Sequence, residues 1–588
     1  MELARPIMRW PNSFTGALYG LLAAGVLIFM STRTEISYSR PSLQLPTMTQ
    51  IAHPLEQIKK YISSSWEYLT RSLAICKTFE DIKTEGEPYL YLPLEFPEPV
   101  EIVELQKYCP IRVARLPKKI TTAGDIDLTG IPNEGVLFLP HPYVVPGGQF
   151  NEMYGWDSYF IILGLLQDNR EPIAKGMVEN FFFEIEHYGA ILNANRTYYL
   201  TRSQPPFLTS MILAIYNAEK SKGPTAPIDS SWLETAYKFA VTDYEEWIRP
   251  PHLAGDTGLS RYFDHGEGPV PEIIGNPKDY YGGVARYMLT HHEGDEASYV
   301  VHLGKNPDAP HAGPVFEFEC DPASQPPPAP DCPKDRVALT ANYYEGDRTM
   351  RESGFDVSFR FGPFSADTHH YAPVCLNSLL YREEKDLEEM ATILGRHEDA
   401  EKWRQNAADR LDRINKYLWD ESRGLYFDYD VVTNKRSTYE YATTFYPLWV
   451  GAASKTQAEA VMRNLPLFEH PGGLAMSQHE TGAQWDFPYG WAPIHLIAIE
   501  GMKRYGFNTD ADRVSFHFLH MVLEDFERTK TMFEKYDVVS RASKTRIRVG
   551  YKENVIGFGW TNGVFLELLH QLPPNLIEKL EKQKVSKR

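Results

Sequence analysis

Apolar residues recur at three- and four-residue steps along most of this 588-residue chain, the spacing of one face of an α-helix. The pattern predicts helices over Leu55–Ile82, Tyr159–Gln167, Ile173–His187, Pro206–Glu219, Trp232–Ile248, Ala372–Leu394, Ala400–Leu418, Ala492–Tyr505 and Ala511–Thr529. Strict alternation is scarce. Its best instance, Leu425 to Thr443, predicts a hairpin around Thr433-Asn434. Helices joined by Gly-, Pro- and Trp-rich loops, without a fixed-period repeat, imply an all-α solenoid or toroid. One catalytic domain is expected over residues 55–575, carrying a polar, Pro/Gly-rich peripheral insertion at 283–350. Residues 576–588 read as a charged, frayed tail.

The N-terminus breaks this pattern. Arg5 and Arg9 precede an uncharged stretch from Trp10 to Thr32, and a polar linker follows over 33–54. Residues 1–32 therefore read as a secretory signal peptide or an uncleaved anchor. The expectation is an exported protein, periplasmic or extracellular, with membrane anchoring through residues 10–32 as the variant.

Charge narrows the partners. Sixty basic against 78 acidic residues leave a net charge of −18, which repels nucleic acids and anionic lipid and is compatible with a neutral small molecule. Five cysteines are too few for a disulfide scaffold. Cys320 and Cys332 bracket a proline-rich loop and are the pair placed to bridge, whereas Cys76, Cys109 and Cys375 read as ordinary small apolar residues. His291, His292, Glu293, Asp295, His302 and His311 cluster in the insertion without paired ligand spacing, so a solvated loop is expected there, with no metal and no cofactor. The N-R-T sequon at Asn195 sits in a motif-dense stretch and reads as structural.

The chemistry lies in six short words: PGGQFNEMYGWDSYF (Pro146 to Phe160), YYLTRSQPP (Tyr198 to Pro206), RESGFDVSFR (Arg351 to Arg360), QWDFPYGWAP (Gln484 to Pro493), FEKYD (Phe533 to Asp537) and GFGWTNG (Gly557 to Gly563). Flat aromatics, forked polar groups and isolated acids are the inventory of a sugar-cleaving site, where one carboxyl donates a proton and another activates water or attacks. Asp356 follows the small Ser353-Gly354 and the apolar Phe355, surroundings that desolvate an acid and raise its pKa. Glu534 precedes Lys535, whose cation favours an ionised base. The sequence spacing of 178 between the two acids says nothing about their spatial distance. Asp157, before a predicted helix, reads on spacing alone as an N-cap.

Taken together these words resemble the trehalases, inverting glycosidases that cleave α,α-trehalose into two glucose molecules. PGGxFxExYxWDSYF and QWDxPxGWAP match that family's two signatures, and LTRSQPP, ESGFD, NSLLY, TFYPLW, EKYD and GFGWTNGV follow in order between Leu137 and Leu569. The resemblance implies an (α/α)6 toroid with the active site at its mouth. It implies Asp356 as general acid and Glu534 as general base, ~6.5–9.5 Å apart to admit a water. Sugar-binding positions implied by it are Gln149, Phe150, Tyr154, Trp156, Asp157, Asn193, Arg202, Ser203, Gln204, Glu272, Gly354 and a sugar-facing Trp485.

Three departures stand out. Gln149 and Val270 replace arginines of the family pattern, at a cost of charge-assisted bonds worth ~1.5–3 kcal/mol each. The glycine-rich run before GFGWTNG is replaced by Arg541 to Tyr551, with Tyr551 at a glutamate position, Glu553 nearby, and Arg546 or Arg548 as candidates to restore a charge. These departures keep open a hydrolase of another α-linked glucoside, or a sugar-binding relative without catalysis.

Overall fold

The computed structural model describes residues 53–80, 87–223, 230–273, 277–291, 296–304, 306–318, 336–550 and 553–582. It is predominantly helical. The main helices are α1 (Pro54–Leu69), α2 (Gly155–Gln167), α3 (Glu171–Tyr188), α4 (Leu208–Ser221), α5 (Ser230–Trp247), α6 (Pro277–His291), α7 (Ala341–Glu352), α8 (Val374–Ile393), α9 (His397–Arg413), α10 (Ala492–Arg504), α11 (Asn508–Thr529) and α12 (Gly559–Gln571). α1 shows how the sequence dictates them. Leu55, Ile58, Tyr61, Ile62, Trp66 and Leu69 form one buried stripe, and Pro54 opens the first turn. The helix stops at Leu69, short of the predicted Ile82, because Thr70-Arg71 turns away to pair with Tyr143-Val144.

Neighbouring helices pack in sequence: α3 on α2, α9 on α8, α11 on α10. The pair that joins the two ends of the fold is α2 with α12. Both are buried nearly all round, as interior helices are. They cross at two glycines. A Cβ on Gly563 would lie 2.0 Å from the Phe160 carbonyl oxygen, and one on Gly164 would lie 2.4 Å from the Gly563 Cα. Only hydrogen fits there.

The predicted hairpin forms where expected, with Tyr429 opposite Arg436, Asp430 opposite Lys435, and Asn434 at φ 56° in its turn. Other elements escape the periodicity. A parallel three-stranded sheet sets Tyr89–Leu92 between Arg112–Arg115 and Val136–Leu137. Stretch 283–350 is no plain loop: it contributes to α6, an antiparallel sheet of Val300–His302, Arg336–Leu339 and Val315–Glu317, and α7. α7 hides from a hydrophobic reading because it buries Asp347, Arg348, Arg351 and Glu352. The tail expected to be frayed starts inside a helix, Pro574–Lys582, anchored by buried Leu580.

The cysteine expectation needs correction. Cys76 and Cys109 form a disulfide with Cα atoms 5.5 Å apart, while Cys375 is a buried free thiol. The strand Tyr89–Leu92 and the short helix Val100–Leu105 between them accompany a fold-back that brings together positions 33 residues apart, which spacing alone does not reveal. Cys320 and Cys332 lie outside the described residues. Replacing both Cys76 and Cys109 by serine is expected to destabilise this region by ~2–4 kcal/mol, read as a lowered thermal midpoint equal to that of the reduced wild type. The Asn195 sequon is structural. Its buried side chain accepts from the Met153 N–H at 2.8 Å and donates to the Leu137 carbonyl at 3.0 Å.

Candidate active site

Six sequence words converge through backbone pairing. Trp491, Gly490 and Tyr489 pair antiparallel with Lys535, Tyr536 and Asp537, joining QWDFPYGW to FEKYD. GFGWTNG closes on FEKYD from the other side, with the Trp560 Nε1 donating to the Glu534 carbonyl at 3.0 Å and the Thr561 hydroxyl to the Phe533 carbonyl at 2.7 Å. QWD reaches ESGFD through the Trp485 N–H on the Val357 carbonyl, 3.2 Å, and the Gln484 side-chain amide on the Asp356 carbonyl. The LTRSQPP loop ties the rest. The Ser203 N–H donates to Glu352 Oε1 at 3.1 Å, and Gln204 Oε1 accepts from the Trp156 N–H at 3.0 Å.

Asp356 follows the end of α7. Gly354 takes the left-handed conformation, φ +76°, that commonly terminates a helix, and a Cβ there would meet the Trp156 ring at 2.9 Å. Glycine is thus required twice over. Phe355 packs between Trp156, Trp485 and Tyr441, at ring separations of 5.6, 5.0 and 5.9 Å. Burial pushes the Asp356 carboxyl up to about 7, against the pull of the Arg351 and Arg202 guanidiniums. The nearer cation is Arg351 Nη1, 3.8 Å from Asp356 Oδ2. Glu534 accepts from Lys535 Nζ at 2.6 Å, and that fully buried ammonium lies over the Trp491 ring, 5.0 Å from its centroid.

Asp157 lies inside the first turn of α2, whose N-cap is Tyr154, so the capping reading does not hold. Its carboxyl is pushed well above the usual range by burial, then by the charges of Glu534 and Asp356. Three acids from three separate words therefore share one electrostatic environment.

Arg202 donates through Nε and Nη2 to Asn193 Oδ1 at 3.3 and 3.0 Å, pairs with Glu272, and approaches Asp264 at 3.5 Å. Burial alone would raise the Glu272 carboxyl, but Arg202 and Arg351 hold it down at about 2. Its Oε2 is buried without a hydrogen-bond partner. A sugar hydroxyl is the donor that would satisfy it. Glu272→Gln is expected to lower kcat/KM on the sugar substrate by roughly 10–150-fold, the value of ~1.5–3 kcal/mol for a charge-assisted bond, measurable by steady-state kinetics.

Other expected residues serve as scaffold. The Ser203 hydroxyl donates to the Ile191 carbonyl, and Trp485 stacks flat on Trp491 at 3.7 Å, so protein occupies one of its faces. Phe150 and Tyr154 meet edge to face at 5.6 Å beside half-buried Gln149. Arg351, Glu352 and Gln484 were absent from the expected set. All three adjoin expected acids or aromatics in the same words, which is the one signal that could have found them.

A sequence profile of the trehalase family matches residues 101–282 and 336–573, skipping most of the insertion. The chain belongs to the trehalase family. The cytosolic neutral trehalase of Kluyveromyces lactis is 34% identical over 87% of this chain and 71% of that protein. That of Saccharomyces cerevisiae is 33% identical over 90% and 73%. Among solved structures, neutral trehalase Nth1 from Saccharomyces cerevisiae matches with a TM-score of 0.72 at 32% identity, covering 90% of this chain and 96% of that one. The enzyme is accordingly a trehalase-type glycoside hydrolase.

The same relatives overturn the expectation of export, since both sequence relatives are named cytosolic. Two arginines before an uncharged run are a compositional cue only, and the apolar core of that run, Gly16 to Met30, is short of the ~20 residues of a membrane span. Residues 10–32 lie outside the described residues, and among the described ones no helix is long and apolar enough to cross a membrane.

The departures from the trehalase pattern can now be placed. Val270 is buried in an apolar cluster with Tyr281, Tyr343 and Tyr344, and its N–H donates to the Tyr281 hydroxyl at 3.0 Å. The altered loop docks along the QWD segment. Arg548 and Val549 N–H groups donate to the Gly482 carbonyl at 2.9 and 3.1 Å, and Arg546 N–H to the Tyr489 hydroxyl at 2.9 Å. The Arg546 and Arg548 residues are exposed, as is Glu553, while Tyr551 lies outside the described residues.

Proposed function

We propose that this enzyme hydrolyses α,α-trehalose with inversion, in an (α/α)6 toroid closed by the α2–α12 pair. Asp356 protonates the glycosidic oxygen. Glu534 takes a proton from a water on the opposite face of the sugar ring, so that water attacks the anomeric carbon as the bond breaks. Asp157, Asn193, Arg202 and Glu272 bind sugar hydroxyls, and Trp156 lends an apolar surface with Phe150 and Tyr154 at the rim.

The observation that carries this reading is the raised Asp157 carboxyl, which feels Glu534 and Asp356 together although 178 residues separate them. An acid held near 7 supports the donor role at neutral pH. The lysine on Glu534 supports the base role.

The deciding experiment is proton NMR of trehalose hydrolysis during the first minutes. Inversion releases one α- and one β-glucose per turnover before mutarotation. Two α-glucose molecules would instead require retention, and no glucose would transfer the assay to other α-linked glucosides.

A further inference from the structure

Behind the LTRSQPP loop, three donors gather that the hydrolytic site does not use. Glu246 closes α5, His252 follows Pro250-Pro251, and His265 follows Asp264. Glu246 Oε1 lies 3.7 Å from His252 Nδ1 and 3.8 Å from His265 Nε2. One ligand atom from each of the three lies within 4.8 Å of the others. These separations exceed hydrogen-bond length. His252 is 1% exposed, yet neither of its ring nitrogens has a hydrogen-bond partner, and His265 Nε2 has none either.

Leaving buried polar atoms unpaired costs about 1–3 kcal/mol each, so the arrangement asks for an occupant. Bonds of ~2.0–2.2 Å around a tetrahedral zinc place its ligands roughly 3.3–3.6 Å apart, a few tenths of an ångström tighter than the two separations from Glu246, so the histidines draw together when the ion binds. The far nitrogen fits too. His252 Nε2 faces Glu352 Oε2 at 3.6 Å, and a metal-binding histidine commonly turns its second nitrogen to a carboxylate.

We propose that Glu246 Oε1, His252 Nδ1 and His265 Nε2 bind a divalent cation of the zinc class, with Glu352 orienting His252 and water as fourth ligand. Two neutral imidazoles and one carboxylate leave a single positive charge on the complex, which Glu352 offsets. The ion ties α5 to the sugar-binding loop, because Glu352 also accepts the Ser203 N–H at 3.1 Å and the Phe263 N–H at 2.5 Å. The competing arrangement is an ion-free one, with His252 seated between Glu246 and Glu352.

The test uses the full chain purified without a histidine tag, stripped by chelation and titrated with zinc in a calorimeter. About one equivalent should bind and raise the thermal midpoint, and cobalt(II) in place of zinc should show the visible absorption of a four-coordinate site. His265→Gln, at the most exposed of the three positions, should keep the helical circular dichroism while abolishing the cobalt signature. Glu352→Gln should weaken zinc by ~10–100-fold. Zinc uptake well below one equivalent by the folded wild type would overturn the proposal, as would unchanged affinity in His265→Gln.

Discussion

Asp356→Asn is expected to lower kcat on trehalose by roughly 10²–10⁴-fold with little change in KM, the loss that follows removal of a positioned general acid. Asparagine keeps the shape of the side chain and its bond through the main-chain carbonyl to Gln484. Only the transferable proton disappears. In the wild type, kcat/KM should fall on the alkaline side with an apparent pKa of about 7, because only the protonated carboxyl can donate. That limb should vanish from the residual activity of the variant.

Stability should move the opposite way. The Asp356 carboxyl rises from 3.8 unfolded to about 7 folded, so the folded state holds the extra proton between those values. Its stabilising contribution is intact below pH ~4 and is lost as pH climbs through 7, at most about 4 kcal/mol for roughly three units at 1.36 kcal/mol each. Asp356→Asn removes this penalty. Thermal melting at pH 8 should show the inactive variant more stable than wild type, and the gap should close at pH 4. An inactive variant that is less stable at pH 8 would assign Asp356 a structural role instead.

Glu534→Ala should cost a comparable factor, and here the repair is more telling than the damage. A base on the face opposite the leaving group can be replaced by an external nucleophile that needs no deprotonation. Azide should therefore restore turnover of an activated α-glucosyl fluoride and yield the β-glucosyl azide. An α product would mean attack from the wrong face and would remove Glu534 from the base role. Lys535→Met is a useful companion, since it deletes the ammonium 2.6 Å from Glu534 while the aliphatic stem still fills its buried place.

The nine helices read from periodicity all exist, with ends shifted by a few residues except in the first, which stops at Leu69 instead of Ile82. Periodicity missed helices for different reasons: α7 carries its buried face on Asp347, Arg348, Arg351 and Glu352, charges that ion pairs within the fold offset and that look solvent-facing in a linear reading, whereas α12 is buried nearly all round and shows no apolar stripe. The two acids proposed for catalysis stand out in the sequence because their neighbours are unusual, a glycine and a phenylalanine before Asp356 and a lysine after Glu534. The supporting shell was less so. Ser203, Gln204 and Trp485 belong to the right words, but their atoms are committed to Ile191, Trp156 and Trp491, and no spacing rule distinguishes a residue that touches a sugar from one that holds its neighbour. The disulfide and the Glu246–His252–His265 cluster depend on how irregular chain folds back over 33 and 19 positions, which no helix or strand period encodes.

The pairing of α2 with α12 also sets an order in time. Synthesis delivers Trp156 and Asp157 before Asp356, yet the Gly164 contact waits for Gly563, 399 positions further along the chain. Glu534 can hold its Trp560 partner only after that helix has emerged. A chain cut after residue 540 would carry both acids proposed for catalysis without the helix that packs on α2, and is expected to show no turnover.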